Sequence, residues 1–280
     1  GCSLHSTASD YGLSTEAVCR NLNIELAEVP DWNCCGATPA HSTNEFVAKA
    51  LPLRNLILAE ETGLDLMVPC TGCYNVSRQT HGFISRGTTR SHDVNSEVAS
   101  IMGRKYFGRL KIMHLLEFFS QPDILKELKS KIVRPLTGLE VVPYYGCLMV
   151  RPIADVAFDD PEQPQKLDLL LEALGAEVKP WSYKTDCCGG SFAIAKPDVV
   201  ADLSGELVNQ AQKAGARAMV TACPLCQANV DTRTAHLGMP IIYITELIAA
   251  ALGLPDQDRW LRKHIVDPRP VLKIAEQLKS

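Results

Sequence analysis

The chain has 280 residues, a hydrophobic content of 46% and a formal net charge of −4 at pH 7. This length predicts about two domains, and the mild acidity provides no basic field of the kind that binds nucleic acid or an anionic membrane surface. The longest apolar run, MPIIYITELIAAALGL at 239–254, is interrupted by Glu246 and is shorter than the roughly 20 apolar residues that span a bilayer. We expect a folded protein with no signal peptide, no membrane span and no nucleic-acid partner.

The predicted elements alternate between helices and short strands. In the first half, a helical segment TEAVCRNL at 15–22 precedes a short apolar strand, LDLMVP at 64–69. The region 81–138 reads as helical throughout, including KIMHLLEFFS at 111–120. The second half contains a strand LEVVPYY at 139–145, a helix LSGELVNQAQKAGA at 203–216 and a strand ARAMVTA at 216–222. This alternation predicts an α/β fold with parallel sheets, followed by a polar tail at 256–280 that we interpret as a docking or surface segment.

The eleven cysteines contain an internal repeat. Setting Cys19 aside, they form two series, each consisting of one cysteine, a vicinal pair and a C-x-x-C turn. The spacings within the series are 31 and 34 residues in the first and 39 and 34 in the second. Such a repeat predicts two related domains, 1–138 with a helical bridge and 139–280 with the tail. Because Gly146-Cys147 follows a strand, we also expect a short strand ahead of Gly1-Cys2.

The cysteine count and spacing restrict the chemistry. Without a secretory signal, such thiols are expected to be reduced in the cytoplasm and to serve as ligands or catalysts. Structural zinc takes four ligands, with half-sites roughly 15–20 residues apart, whereas each series here has five thiols. Soft thiolates also select iron–sulfur clusters, which fit better. Glycines after both vicinal pairs would allow the close approach and turns that a Cβ forbids. A thioredoxin-like use of C-x-x-C would leave the vicinal pairs without a role.

The doubled motif resembles the CCG domain that defines the B subunit of heterodisulfide reductase and its relatives. The resemblance covers essentially the whole chain and includes GCSLHST, DWNCCGA, LEVVPYYGC, Arg151-Pro152 and FDDPEQPQKLDLLLEALGAE. Around the first vicinal pair, CCGATPAHST is closer to bacterial-type relatives than to the methanogen form, where a proline is expected. This departure bears on the substrate more than on the chemistry.

The resemblance implies a cofactor, a fold and a ligand set. Two pseudo-twofold-related, Rossmann-like CCG domains would each hold one noncubane [4Fe–4S] cluster, and the cluster loops would face a shared cavity in which a disulfide is split. Each cluster would then contribute one of the two electrons. The first cluster would be held by Cys2, Cys34, Cys35, Cys70 and Cys73. The second would be held by Cys147, Cys187, Cys188, Cys223 and Cys226.

The resemblance also implies partners, because the chain carries no flavin or nucleotide fingerprint. Electrons would arrive from two partners in a heterodisulfide reductase-like complex, the small iron–sulfur C subunit together with the flavin-containing A subunit. The complex would be cytoplasmic, with membrane association through partners as an alternative. Related CCG proteins occur in sulfur-oxidising complexes and in succinate dehydrogenases or fumarate reductases. An electron-relay protein without its own substrate is therefore the second hypothesis, and a zinc-bound scaffold is the third.

Residues outside the cysteine series suggest further roles. Imidazole titrates near neutrality, so His5 and His41 are candidate proton donors; the alternative is a histidine that bonds a carbonyl or a sulfide. We expect the tryptophans near the vicinal pairs to shield the clusters from water, and two basic residues to offset cluster charge or attract an anionic thiol. Cys19 is expected to be a buried small hydrophobe. The tryptophans are Trp32 and Trp181, and the basic residues are Arg151 and Lys184.

Overall fold

The structure is a mixed α/β fold with parallel sheets, as the sequence predicts. The computed structural model describes residues 2–37 and 40–277, with the side chains of residues 41 and 274–277 excepted. Within these residues, β1 (Leu66–Val68) pairs with β2 (Ile112–His114) in the first half. In the second half β3 (Glu140–Tyr144), β4 (Glu177–Val178), β5 (Ala218–Thr221) and β6 (Ile241–Tyr243) form one sheet in the order β4-β3-β5-β6. The strands predicted at 64–69, 139–145 and 216–222 are confirmed as β1, β3 and β5.

Helices surround these sheets. Those of the first half are α1 (Ser9–Asn21), α2 (Ala40–Thr43), α3 (Glu45–Glu61), α4 (Thr71–Ser85), α5 (Thr89–Met102), α6 (Leu115–Phe119) and α7 (Pro122–Ser130). Those of the second half are α8 (Cys147–Val150), α9 (Ile153–Val156), α10 (Lys166–Ala173), α11 (Pro197–Lys213), α12 (Pro224–Thr234), α13 (Ile244–Ala251), α14 (Asp258–Leu261) and α15 (Arg269–Gln277). Short 3-10 turns lie at Gly190–Phe192 and Ala235–Leu237. No helix in the described ranges is long and apolar enough to cross a membrane.

The prediction of a wholly helical bridge at 81–138 is wrong at 112–114. These residues form β2, which pairs in register with β1, from Leu66 opposite Ile112 to Val68 opposite His114. The helix α6 then starts at once, because the His114 ring accepts a hydrogen bond from the Leu116 backbone N–H at 3.1 Å and caps the helix. The run KIMHLLEFFS is therefore a strand joined to a helix, and its buried apolar residues fit either element equally well.

The two halves pack against each other over a continuous apolar core. Buried side chains such as Leu56 and Leu116 from the first half belong to the same cluster as Leu170 and Leu247 from the second. The Tyr11 ring of α1 stacks on the Tyr243 ring at the end of β6, with centroids 4.3 Å apart and planes at 8°. The division into domains at 138/139 stays a prediction, and these contacts fix the halves relative to each other.

The tail is not the wholly exposed surface segment that its polarity suggests. Trp260, Leu261 and His264 are buried, because the chain turns back after α13 and covers the contact between α1 and the second sheet. The Ile265 N–H donates to the Asp231 carboxylate at 2.9 Å, which attaches this segment to α12. Residues 256–267 are therefore anchored to the core by these three side chains, while the other residues of the segment are exposed or half-buried.

Candidate metal centres

Parallel strands deliver the cysteines to the ends of the sheets. Cys70 follows β1 and is the N-cap residue of α4, and Cys223 follows β5 and is the N-cap residue of α12. Cys147 opens α8 directly after β3 and Gly146. Ligands of open α/β sheets collect at this carboxyl edge, so the topology accounts for the predicted position of the C-x-x-C turns.

The structure gathers all ten predicted cysteines into two groups of five. In the N-set (Cys2, Cys34, Cys35, Cys70 and Cys73), the Sγ atoms of Cys2 and Cys34 lie 3.6 Å apart and those of Cys35 and Cys73 lie 2.9 Å apart. In the C-set (Cys147, Cys187, Cys188, Cys223 and Cys226), the equivalent Sγ pairs, Cys147–Cys187 and Cys188–Cys226, lie 3.5 and 3.7 Å apart. The same positions of each repeat are therefore paired, so the sequence repeat is also a structural repeat of the two sites.

Burial is graded in the same direction within each set. Cys34 and Cys187, the first members of the vicinal pairs, are exposed, whereas their neighbours Cys35 and Cys188 are buried. Adjacent side chains therefore point to opposite sides of the chain, and only an object wider than a single ion can engage both. Each set therefore has an exposed side and a buried side.

Hydrogen bonds between neighbouring thiols shift their pKa values, because the thiol that accepts the bond is stabilised as a thiolate. Donation by the Cys147 thiol, followed by a backbone N–H bond from Gly189, lowers the pKa of Cys187 to about 6. The bond to Cys226 lowers the pKa of Cys188 to about 7, and the bond to Cys73 lowers that of Cys70 to about 7. The same bonds raise the pKa of the partner thiols Cys147, Cys73 and Cys226, so one thiol of each pair keeps the shared proton. Thiolates bind metal and thiols do not, so metal binding would release these protons. This all-sulfur donor set fits iron–sulfur chemistry.

Glycines after the vicinal pairs take conformations that other residues avoid. Gly36 has φ +70° and Gly189 has φ +76°, and a Cβ on Gly36 would lie 2.7 Å from the Cβ of Ala40. The left-handed turn at both positions confirms that these glycines supply backbone conformations that a Cβ disfavours, and the close approach of the backbone to a cluster stays a prediction.

The N-set and the C-set are close neighbours. A Cβ built on Gly72, between Cys70 and Cys73, would lie 3.2 Å from a methyl carbon of Leu225, between Cys223 and Cys226. The two C-x-x-C turns therefore touch.

One buried hydroxyl is shared between the two turns. The Tyr11 Oη lies 3.2 Å from the carbonyl oxygen of Pro69 and 3.3 Å from that of Ala222. These two residues directly precede the two C-x-x-C turns, and the Thr71 hydroxyl also donates to Ala222 at 3.2 Å. The contact between the turns is therefore fixed by hydrogen bonds as well as by packing.

A cavity of about 1070 Å³ opens beside the N-set. Its lining includes Cys2, His5, Cys35 and Cys73 together with the segment 24–29 and residues 64–69, and among the described residues it includes no member of the C-set. The cavity shared by both sets, and the pseudo-twofold relation between the halves, stay predictions.

The structure describes the side chain of only one of the two candidate proton donors, His5 and His41. His5 is exposed, donates a hydrogen bond from Nε2 to the Glu28 carboxylate at 2.8 Å and stacks on the Trp32 ring at 5.4 Å. His41 lies in α2, but its side chain is outside the described residues. In the second half the Trp181 indole donates to the Pro143 carbonyl at 2.9 Å.

The two basic candidates each have an acidic partner in the structure. Lys184 is buried, and its ammonium lies 2.6 Å from a carboxylate oxygen of Asp168. Arg151 pairs with Glu162 at 2.8 Å on the surface. Both roles predicted for these side chains, the offset of cluster charge and the attraction of an anionic thiol, stay predictions. Cys19 is buried in the core, as predicted.

Sequence reasoning missed a buried ionisable cluster below the stacked tyrosines. His264 Nε2 lies 2.9 Å from a Glu246 carboxylate oxygen and 3.8 Å from one of Asp10. His264 lies in the tail, Glu246 in α13 and Asp10 in α1, so no local sequence motif predicts the cluster. The Gln227 side chain, next to Cys226, lies 3.2 Å from the other ring nitrogen of His264. The cluster thus joins both halves of the chain close to the C-set.

This cluster predicts a pH-dependent stability. Burial opposes the imidazolium, but the charge and hydrogen bond of Glu246 and the charges of Asp10 and Asp231 outweigh it and raise the pKa of His264 from 6.5 to about 9. A raised histidine pKa stabilises the fold fully below pH 6.5, and the stabilisation is lost as pH rises toward 9. We expect urea unfolding to show a loss on the order of 2–3 kcal/mol over this interval.

Two variants separate this effect from the titration of the thiols. His264→Gln should be less stable than the wild type at pH 6.5 and should approach it at pH 9, because the ion pair is already absent. His92→Gln, at an exposed position of α5, should reproduce the wild-type slope. Parallel curves for the wild type and His264→Gln would contradict the expectation.

The cysteine pattern also identifies the family of the chain. A model of the CCG cysteine-rich domain matches residues 1–76 and 141–231. The chain belongs to this family. The two matched regions contain all ten cysteines of the N-set and the C-set, which confirms the recognition of two CCG motifs in one chain.

Curated relatives of this CCG protein are named as parts of redox enzymes. It is 30% identical over 275 residues, 95% of each chain, to the 8-methylmenaquinol:fumarate reductase membrane anchor subunit of Wolinella succinogenes. It is 28% identical over 271 residues to the B subunit of the ferredoxin:CoB-CoM heterodisulfide reductase of Methanosarcina mazei, with 92% of this chain and 89% of that one covered. It is 27% identical over 267 residues to a protein of Archaeoglobus profundus named as similar to the heterodisulfide reductase B subunit, with 90% and 89% covered.

A solved structure shares the fold. The crystal structure of a hypothetical protein from Helicobacter pylori superposes with a TM-score of 0.72 at 10% identity and covers 92% of this CCG chain. The present chain corresponds to 49% of that protein's length, so the similarity concerns the fold alone.

Proposed function

We propose that the chain is the iron–sulfur redox component of a multisubunit oxidoreductase, with one noncubane [4Fe–4S] cluster in the N-set and one in the C-set. The observation that carries the proposal is the repeated geometry, in which each half gathers five thiols with the same pairings. The relatives named as components of heterodisulfide reductase and fumarate reductase support it, because both enzymes are redox complexes.

The chemistry that we propose is the reversible reduction of a disulfide to two thiols. When bound, the clusters supply single electrons at soft metal centres, and a disulfide takes up two electrons and two protons. The chain's own contribution is positional: Tyr11 and Thr71 fix the contact between the two C-x-x-C turns. The exposed Cys2, Cys34 and Cys187 mark the sides of the sets from which a substrate can approach. His5 or His41 would deliver the protons.

A second candidate function is electron relay in a fumarate reductase-type or succinate dehydrogenase-type complex, without a sulfur substrate. The relative from Wolinella succinogenes favours it, because the similarity extends over 95% of both chains. A variant of the first proposal is the role of the B subunit in a sulfur-oxidising heterodisulfide reductase-like complex. There the electrons would flow in the opposite direction, from thiols to the clusters. In either complex the partners that we propose are the small iron–sulfur C subunit together with the flavin-containing A subunit, in the cytoplasm or at the membrane through those partners.

A single-turnover experiment separates the two functions. The complex, purified anaerobically, is reduced with dithionite, freed of excess reductant and mixed with a panel of small disulfides, while cluster absorbance and released thiols are followed together. We expect at least one disulfide to reoxidise the clusters with two thiols released per two electrons. The Cys188→Ala variant of the same complex serves as the control.

Each outcome of this experiment decides between the functions. Clusters that reduce no disulfide, but are reoxidised by fumarate through the complex, would replace disulfide chemistry by electron relay. A colourless protein with stoichiometric zinc and no sulfide would remove both candidates and leave the scaffold hypothesis.

A further inference from the structure

An exposed apolar surface adjoins the C-set. Its members, which we call the apolar rim, are Phe192, Ile194, Val199 and Leu203. Their exposed fractions are 59%, 97%, 52% and 40% in that order. Isolated exposed apolar side chains are common on protein surfaces, whereas clusters of them mark binding sites. All four lie within sixteen residues of the exposed Cys187 along the chain.

The rim is held firmly against the second CCG motif. The Phe192 N–H donates to the Gly189 carbonyl at 2.8 Å, and the Lys196 N–H donates to the Phe192 carbonyl at 2.9 Å. The Arg233 side chain donates to the Ala193 carbonyl at 3.0 Å. A Cβ built on Gly189 would lie 3.1 Å from a methyl carbon of Leu203. The exposure of these side chains is therefore imposed by an anchored segment that runs from the vicinal cysteines into α11.

The sequence of the first repeat lacks two of these apolar residues, those of the loop that follows the vicinal pair. With the register that aligns the vicinal pairs, Phe192 corresponds to Pro39 and Ile194 to His41. The two loops read GATPAHST at 36–43 and GGSFAIAK at 189–196. Both repeats gather five cysteines with the same pairings, so holding the thiols does not require the rim. Phe192 and Ile194 are therefore a feature of the second repeat that the binding of the thiols does not explain.

The charges around the rim indicate what covers it. The segment 186–206 contains four exposed acidic residues and one basic residue, Lys196. The acidic residues are Asp186, Asp198, Asp202 and Glu206. An apolar surface with an acidic border is complementary to a protein whose apolar contact is bordered by lysine or arginine. The same border disfavours an anionic lipid surface, which attracts basic segments.

We propose that the apolar rim is the docking surface for an electron-transfer protein with a basic border, so that electrons enter the chain at the C-set. The inference rests on the proposed iron–sulfur function and assigns different tasks to the two sets. In each docking event the reduced iron–sulfur centre of the partner would lose one electron, and the cluster that the C-set is proposed to hold would gain it. Two events supply the two electrons that a disulfide takes up with two protons, and the partner leaves oxidised each time.

The test places a charge and a photocrosslinker at the most exposed position of the rim. Ile194→Asp should not disturb folding, because its side chain has almost no contacts to lose. Ile101→Asp on α5, at a position 78% exposed, is the matched control. In the native complex, benzoylphenylalanine at position 194, but not at position 101, should crosslink to an iron–sulfur protein through a peptide rich in lysine or arginine.

The affinity for that protein, once purified, supplies the quantitative test. We expect Ile194→Asp to weaken binding at least tenfold and slow cluster reduction by the partner, with Ile101→Asp unchanged, and we expect wild-type binding to weaken as salt rises. Crosslinks to lipid, to a second copy of the chain or to no protein would overturn the proposal, as would unchanged affinity. Iron and sulfide content, measured in every variant, distinguishes this failure from failure of the cluster assignment itself.

Discussion

Replacement of Cys188 by alanine is expected to remove about half of the iron, from about eight to about four atoms per chain, because iron–sulfur clusters of this size hold four irons each. The Cys188 thiol lies 3.7 Å from that of Cys226 within the C-set. Its backbone carbonyl accepts hydrogen bonds from Asn229 at 2.7 Å and from Ser204 at 3.4 Å, and alanine retains both. The substitution therefore removes one ligand without releasing the loop.

The N-set should survive this change, because all five of its thiols come from the first half of the chain. Anaerobic purification followed by iron, sulfide and absorbance measurements provides the readout. Cys19→Ala is the matched control, since Cys19 is also buried but belongs to neither set, and it should retain all the iron. Loss of both clusters in Cys188→Ala would show that the two sites assemble as one unit.

Much of the fold and of the candidate site could be predicted from the sequence, because the signals are local or repeated. A β-branched run such as 139–145 has a strand pattern by itself, and the ten cysteines reveal their grouping through spacing alone. The two half-sites then follow from topology, since parallel strands carry their following loops to one edge.

The remainder depends on contacts between distant segments. Asp10 and His264 are 254 residues apart, and only the folded chain shows that both lie beside Glu246. The shared hydroxyl of Tyr11 leaves no pattern either, because one tyrosine on an amphipathic helix is ordinary. The strand β2 was missed since three buried residues followed by a helix match a continuous helical pattern. The ion pair of Lys184 was not predicted because its partner, Asp168, lies on a different element.

Lys184 also provides the largest expected change in stability, about 3–5 kcal/mol lost in Lys184→Met, the usual result when one partner of a buried ion pair is removed. The ammonium lies 2.6 Å from Asp168, whose other oxygen accepts the Tyr145 hydroxyl at 2.6 Å. The Lys184 carbonyl accepts the backbone N–H of Gly146 at 3.1 Å. Methionine would leave the Asp168 carboxylate buried without a counter-charge, directly beside the strand end that presents Cys147.

Two comparisons make this prediction specific. In the double variant Lys184→Met with Asp168→Asn, the amide oxygen still accepts from Tyr145 and no charge is left unpaired, so urea unfolding should recover most of the loss. Arg151→Met breaks a surface pair, Arg151–Glu162, whose side chains are 44% and 69% exposed, and it should cost no more than about 1 kcal/mol. Equal losses for Lys184→Met and Arg151→Met, or no recovery in the double variant, would mean that Lys184 acts through something other than its ion pair. Because Tyr145 immediately precedes Gly146-Cys147, Lys184→Met should also lower the iron content of the C-set, whereas Arg151→Met should not.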